Sequence, residues 1–227
     1  MKDIGGLFDS ISNRYDRFNH TASLGIDRIW RRRAVRSLPQ CEVVLDVAAG
    51  TADLCIETVR RGKSQKVIGV DISEGMLAVG REKIRKKAMS DKIELLVADC
   101  AQLPFNDNTF DAITCGYGVR NFAELDMSLS EMLRVLKPGG QLRILEFTYP
   151  TNRVVRFFYD FYFTHIVPRI GKRLTDNGGA FVYFMNSVKS FAKGRDFLDI
   201  LERNGFSDTS FTSQTFGIST LYKACKR

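Results

Sequence analysis

Short apolar runs that alternate with helical patterns constrain this chain more than any other feature. The runs lie at 43–47 (VVLDV), 67–70, 93–98 (IELLVA), 110–115 and 142–147, and each closes in a polar or small-residue turn. Runs of this length, rich in β-branched residues and apolar on both faces, read as buried parallel strands. Between them the period changes. Ser73 is placed to cap a helix that carries Met76, Leu77, Val79, Gly80 and Ile84 at helical spacing. A second helix is expected over 125–136, with Leu125, Leu129, Met132, Leu133 and Leu136 on one stripe, and it stops at Lys137-Pro138-Gly139-Gly140. Strand–helix alternation implies an α/β fold with right-handed crossovers. The end of the chain differs: 207–214 and 218–224 are both strand-like and separated by a short glycine-containing turn, the pattern of an antiparallel hairpin. The expected architecture is a doubly wound, mostly parallel, seven-stranded sheet that closes in that hairpin. No repeat or low-complexity linker divides the 227 residues, so 1–227 is read as one domain.

Ligands of such sheets sit beyond the carboxyl ends of the strands, where strand order switches. The residues after each run are therefore the candidates: Asp46 to Asp53, Asp71-Ile72-Ser73, Asp99-Cys100-Ala101, Gly116 to Asn121, and Glu146-Phe147-Thr148. Gly50 can take a left-handed conformation and admit a ligand to the backbone, although a tight strand-to-helix connection needs the same small residues. Asp71, about twenty residues further on, is placed to accept both hydroxyls of a ribose; its alternative use is as a helix cap. That pair fits NAD and S-adenosylmethionine equally. Two features favour the latter. The turn is not G-x-G-x-x-G, because Ala48, Ala49 and Ala52 occupy much of it, and a pyrophosphate needs closer backbone access. Asp99 also leads into Leu103-Pro104-Phe105, where an acid and a neighbouring amide can read an adenine edge.

Composition removes other classes. Apolar residues make up 44% and charged residues 26%, as in an ordinary folded domain. No stretch reaches the roughly 18–20 apolar residues of a membrane span, and the N-terminus lacks a signal-peptide core. A cytoplasmic address follows. The five cysteines are odd in number and none are in C-x-x-C spacing, which disfavours zinc knuckles and disulfides. No histidine–carboxylate cluster suggests a metal. The net charge of +8 gathers at 28–36 and 81–87. Such clusters suit nucleic acid, an anionic membrane or plain solvated helix faces. The absence of a nucleic-acid motif removes the first.

At this point the residues resemble a known family, the menaquinone and ubiquinone C-methyltransferases. The resemblance covers nearly the whole chain. It rests on FDSISNRYD at 8–16 with Asn19, Ser23-Leu24-Gly25 and Trp30-Arg31, LDVAAGTAD at 45–53, and Asp71-Ile72-Ser73 with Met76-Leu77. It continues through LPFNDNTFD at 103–111, GVRN at 118–121, RVLKPGG at 134–140, LEF at 145–147, and Pro168-Arg169-Ile170-Gly171 with AFVY at 180–183. The turn at 137–140 and the acid after the second strand are general to class I methyltransferases, whereas the N-terminal motif, GVRN and LEF are more specific. The resemblance implies S-adenosylmethionine as cofactor, set against Thr51, Asp71, Asp99, Cys100 and Gly116; Asp46, Ala48, Gly50, Ile72 and Met76 are further candidates for contact with it. Departures are Ala52 where glycine is usual, Gly116 where serine is common and Phe181 in place of tyrosine.

The implied reaction is methyl transfer to a ring carbon of a polyprenyl quinol, demethylmenaquinol ahead of a benzoquinol; the alternatives are another small aromatic acceptor and, from a different class, a cofactor-binding scaffold without catalysis. Arg120 is the expected catalytic cation, stabilising an ionised ring hydroxyl. The alternative for Arg120 is a structural ion pair with Glu146 or Asp46. Tyr15 is expected to orient the substrate or a water. Segments 1–38 and 150–194 are read as a helical cap and a helical substrate-side insertion. Within the latter, the aromatic segment 154–167 is a candidate wall for the isoprenoid tail, a candidate dimer contact and, with the basic charge, a candidate membrane contact.

Overall fold

The computed structural model describes residues 6, 12, 16, 19–167, 169 and 178–227, the side chains of 178–182 excepted. Seven strands form one sheet: β1 Cys41–Val47, β2 Ser64–Asp71, β3 Ile93–Val97, β4 Phe110–Gly116, β5 Leu136–Phe147, β6 Ser207–Gln214 and β7 Ser219–Cys225. Their order is β3-β2-β1-β4-β5-β7-β6. β1 to β5 run parallel, and β7 is antiparallel to both β5 and β6. The expected sheet and its closing hairpin are thus present.

Helices α1 (Asp27–Arg36), α2 (Asp53–Arg60), α3 (Glu74–Lys86), α4 (Leu125–Val135), α5 (Arg153–Phe161), α6 (Gly178–Ser190) and α7 (Arg195–Arg203) complete the fold. Alternation along β1 splits the core between the sheet faces. Val44 packs with Cys55, Leu77 and Ile84 of α2 and α3. Leu45 packs with Leu129, Met132, Phe197 and Leu201 of α4 and α7. Ser73 caps α3 as expected, accepting the Met76 N–H at 3.1 Å. Asn152 caps α5, accepting from Val154 and Val155.

One boundary departs from expectation. β5 begins at Leu136, directly after α4, not after a turn. Its ladder with β4 jumps from Phe110–Leu136 to Ala112–Gln141, so Lys137-Pro138-Gly139-Gly140 bulges from the strand. Pro138 has no N–H to give a ladder. The chain end holds the bulge: Gly139 N–H donates to Lys226 O at 2.8 Å, and Lys226 N–H donates to Gly140 O at 3.0 Å. Among the described residues, no helix is long and apolar enough to cross a membrane.

Candidate active site

Strand order reverses between β1 and β4, and the crevice above their carboxyl ends is the ligand position of this topology. The β1 turn is built from left-handed residues: Ala48, Gly50 and Ala52 have φ of 54°, 53° and 64°. Only the glycine takes this without cost, so the two alanines store strain at the crevice. Gly50 N–H donates to Asp71 Oδ2 at 2.8 Å, and Ser73 N–H donates to Asp71 Oδ1 at 3.0 Å. Asp71 therefore ties the β1 turn to the end of β2 while staying half-buried. Met76 approaches beneath: its Cε lies 3.4 Å from where a Gly50 side chain would begin.

Ile72, beside Asp71, is 48% exposed. Asp99, at the end of β3, is exposed and holds the Ala101 N–H at 2.9 Å. The Cys100 thiol sits 3.3 Å from the Ser128 hydroxyl, and burial pushes its pKa up to about 11. Gly116 closes β4, where a side chain would meet Leu54 Cδ1 at 2.6 Å. Gly118 is tighter still, with Ala48 Cβ 2.5 Å from the place of an added Cβ. The Asp71 carboxylate at the end of β2 has the chemistry to accept from a ribose diol, the exposed Ile72 side chain suits a purine face, and the small side chains leave the β1 backbone open. The residues present therefore suit a nucleoside cofactor.

Asp46 is turned the other way. Its carboxylate lies under the turn, accepting from Thr114 Oγ1 at 2.6 Å and Cys55 Sγ at 3.1 Å. Burial lifts its pKa from 3.8 to about 6. Thr51 is also buried, and its hydroxyl donates to Asp16 Oδ1 at 2.5 Å. Lys83 Nζ joins Asp16 at 2.7 Å, Asp53 at 2.5 Å and Thr51 at 3.1 Å. The network continues through His20 and Arg31, which both engage Asp27, and Arg31 also reaches Asp53 at 3.6 Å. Burial raises the Asp27 pKa, but the His20 hydrogen bond, the Arg31 charge and the Ser23 hydroxyl outweigh it and hold it well below the carboxylate range. Sequence reading did not anticipate this network. Asp16 stood in a quoted motif, but no spacing reveals a contact across 35 residues.

Arg120 is nearly buried, with 5% of its side chain exposed, and pairs with the fully buried Glu146 at 2.7 Å. The same Nη1 donates to Tyr117 O, and Nε donates to Ser187 Oγ at 3.3 Å. Among the described residues, Nη2 has no hydrogen-bond partner. The guanidinium lies 5.7 Å from the Phe147 ring centre and 5.2 Å from that of Phe184. Burial pushes the Glu146 pKa up, and the Arg120 charge with two backbone N–H groups pulls it back. Of the two partners considered for Arg120, the structure selects Glu146. Tyr15 lies outside the described residues, as does most of the 168–171 motif; the Phe181 side chain does too.

Phe147 and Phe184 also line a cavity of about 450 Å³. Its other walls include Leu24 and Trp30 from the N-terminal segment, Phe158 from α5, and Phe216 from the β6–β7 connection. Segment 154–167 thus forms a cavity wall, as one of its expected uses required. Tyr117, with φ of 62°, stacks on Phe147 at 4.3 Å. The apolar cavity and the nucleoside crevice are therefore neighbours across Tyr117 and Arg120.

A model of the ubiE/COQ5 methyltransferase family matches residues 1–226. The demethylmenaquinone methyltransferase of Bacteroides fragilis is 45% identical over 99% of this chain and 93% of its own. The ubiquinone/menaquinone biosynthesis C-methyltransferase UbiE of Geobacter sulfurreducens is 43% identical over 96% of this chain and 86% of its own. Among solved structures, a SAM-dependent methyltransferase from Thermotoga maritima superposes with a TM-score of 0.69 at 17% identity, covering 98% of this chain and 99% of that one. That likeness concerns the fold.

Proposed function

The chain belongs to the ubiE/COQ5 methyltransferase family, and on that premise we propose that it methylates a ring carbon of a demethylated polyprenyl quinol, demethylmenaquinol in preference to a benzoquinol. It is an S-adenosylmethionine-dependent methyltransferase of quinone biosynthesis. The bound cofactor supplies a sulfonium methyl open to in-line displacement. The chain's residues must hold the two reactants in line and exclude water. Asp71, Ile72, Asp99 and the β1 turn are the residues for the nucleoside. Thr51, buried against Asp16 and Lys83, acts by fixing the turn.

One observation carries the acceptor side. Two of the phenylalanines that line the apolar cavity, Phe147 and Phe184, also flank the Arg120 guanidinium. An isoprenoid tail in the cavity brings its ring to that cation. A carbon nucleophile forms when a ring hydroxyl ionises, and the Nη2 face of Arg120, unpartnered among the described residues, supports the resulting oxyanion. Arginine stays charged at neutral pH, so this role is electrostatic. Glu146 and Tyr117 O hold the guanidinium in place beforehand. A cytoplasmic address with access to lipid accords with such a substrate.

The test is turnover of a demethylated naphthoquinol beside its benzoquinol counterpart, each with a short isoprenoid tail and labelled cofactor. Methyl incorporation into the naphthoquinol carbon at the higher kcat/KM supports the reading. Incorporation into neither ring, by protein that binds the cofactor, removes it.

A further inference from the structure

Most of the polar groups on the walls of the apolar cavity are already spent inside the protein. Trp30 Nε1 donates to Thr215 Oγ1 at 2.8 Å, the Tyr162 hydroxyl donates to Ala22 O at 3.1 Å, and the Ser23 hydroxyl donates to Asp27 Oδ1 at 2.6 Å. The Tyr159 hydroxyl differs. Tyr159 lines the same cavity and is 3% exposed, and among the described residues its hydroxyl has no hydrogen-bond partner. The carboxylate next in sequence, Asp160, accepts from the Tyr149 hydroxyl at 2.7 Å instead. A buried hydroxyl left unpaired is a standing cost to the fold, which phenylalanine at the same place would not carry.

The Tyr159 ring is held in place, stacked on Phe163 at 4.3 Å and edge-on to Tyr149 at 5.6 Å. From it a row of rings leads to the cation: Phe163 lies 6.0 Å from Phe184, and Phe184 lies 5.2 Å from the Arg120 guanidinium. Tyr159, Phe163 and Phe184 all line the cavity. Burial raises the Tyr159 pKa and the Arg120 charge pulls against it, so the hydroxyl keeps its proton at neutral pH and is a donor. A 1,4-quinol has two oxygens on opposite sides of its ring. One sits beside the carbon that takes the methyl group, the other beside the carbon that carries the tail. With the first oxygen at Arg120 and the tail in the cavity, the second oxygen falls on the cavity side, where Tyr159 stands.

We propose that Tyr159 is a second polar contact for the acceptor: its hydroxyl donates a hydrogen bond to the quinol oxygen beside the tail-bearing carbon and so fixes which edge of the ring meets the methyl donor. The inference rests on the quinol reading and deepens it by giving the two oxygens different tasks. Arg120 supports charge on the reacting side, and Tyr159 sets the orientation of the ring. Apolar walls hold a tail without choosing how its ring is turned, whereas one fixed donor does choose. Tyr159 therefore selects acceptors with two ring oxygens over those with one.

The test compares the full chain with Tyr159→Phe on two acceptors that carry the same short isoprenoid tail. One is the demethylated 1,4-naphthoquinol, and the other is the 1-naphthol that lacks only the hydroxyl beside the tail-bearing carbon. Affinities are measured by anaerobic calorimetry with S-adenosylhomocysteine present, so that no turnover occurs. The ratio of quinol to naphthol affinity should fall about tenfold from wild type to variant, the size of one lost hydrogen bond. The variant's kcat/KM should fall by about the same factor on the quinol and stay unchanged on the naphthol. Its unfolding midpoint should equal or exceed that of wild type, because the unpaired hydroxyl is gone. An affinity ratio that the substitution does not change, or an equal loss on both acceptors with a lowered midpoint, overturns the proposal and leaves Tyr159 a structural residue. Failure of the quinol reading is distinct: wild type that binds the cofactor but neither binds nor methylates the quinol removes both, whereas equal quinol turnover by wild type and variant removes only the role of Tyr159.

Discussion

At the scale of single residues, the Arg120–Glu146 pair and Asp46 make opposite demands on the fold. Removing one member of a buried pair strands the other, at a cost of about 3–5 kcal/mol. Arg120→Ala should therefore lower stability by that order and abolish most turnover while leaving cofactor affinity near normal. Adding Glu146→Gln removes the stranded charge. The double variant should regain much of the stability, measured by chemical denaturation, and none of the activity, because the cation at the ring oxygen is still missing. Recovery of turnover in the double variant would show that Arg120 serves only Glu146. Asp46 has no cation partner among its hydrogen bonds, and burial lifts its pKa from 3.8 to about 6. A carboxyl whose folded pKa exceeds its unfolded one binds more protons in the native state, so stability falls as pH rises between those values. Two pKa units correspond to about 3 kcal/mol. The unfolding free energy of Asp46→Asn, relative to wild type, should climb by about that amount from pH 4 to pH 7; a flat difference would refute the buried-charge account.

At the scale of elements, what was legible followed from local rules. The five runs and the hairpin appear as strands because apolar continuity and period survive burial, and Ser73 caps α3 because a cap is a local interaction. At 137–140 the end of the helix was legible, but not that the same residues bulge from β5, since proline and paired glycine suit a helix end and a bulge equally well. The clasp by Lys226 holds the bulge. At the site, Gly50 and Asp71 were readable from their spacing, whereas the cavity was not, because its walls come from segments nearly 200 residues apart. The contact of the β1 and β4 turns is of that second kind. An added Cβ on Gly118 would lie 2.5 Å from Ala48 Cβ, so Gly118→Ala must part the two turns at the switch in strand order. Overpacking of this sort costs about 1–3 kcal/mol. Calorimetry should show weaker cofactor binding, by about tenfold, beyond the loss of stability seen in unfolding. Unchanged cofactor affinity would place the crevice elsewhere.

At the scale of the whole molecule, the two reactants are held by pieces that share one support. The N-terminal segment lines the apolar cavity through Leu24 and Trp30, and it reaches the cofactor turn through Asp16, which takes the Thr51 hydroxyl and the Lys83 ammonium. α1 adds Arg31, which spans Asp27 and Asp53 and lies 5.3 Å from the Tyr117 ring centre. Tyr117 in turn stacks on Phe147, which lines the cavity. A ligand that fixes the β1 turn therefore also fixes Asp16, and an occupied cavity braces the same N-terminal segment through Leu24 and Trp30. Sites that stabilise the same arrangement of one element bind cooperatively, with equal coupling in each direction. A short-tailed quinol analogue should bind about fivefold or more tightly when the cofactor is saturating, within the range of ordinary coupling energies. Asp16→Asn keeps the shape of the contact but removes the charge that Lys83 and Thr51 share. In that variant each ligand should still bind, more weakly, and the coupling factor should drop toward one. Titration calorimetry of each ligand with and without the other measures both factors. Coupling that survives intact in Asp16→Asn would mean that the two ligands communicate directly across Tyr117 and Arg120, without the Asp16 contact.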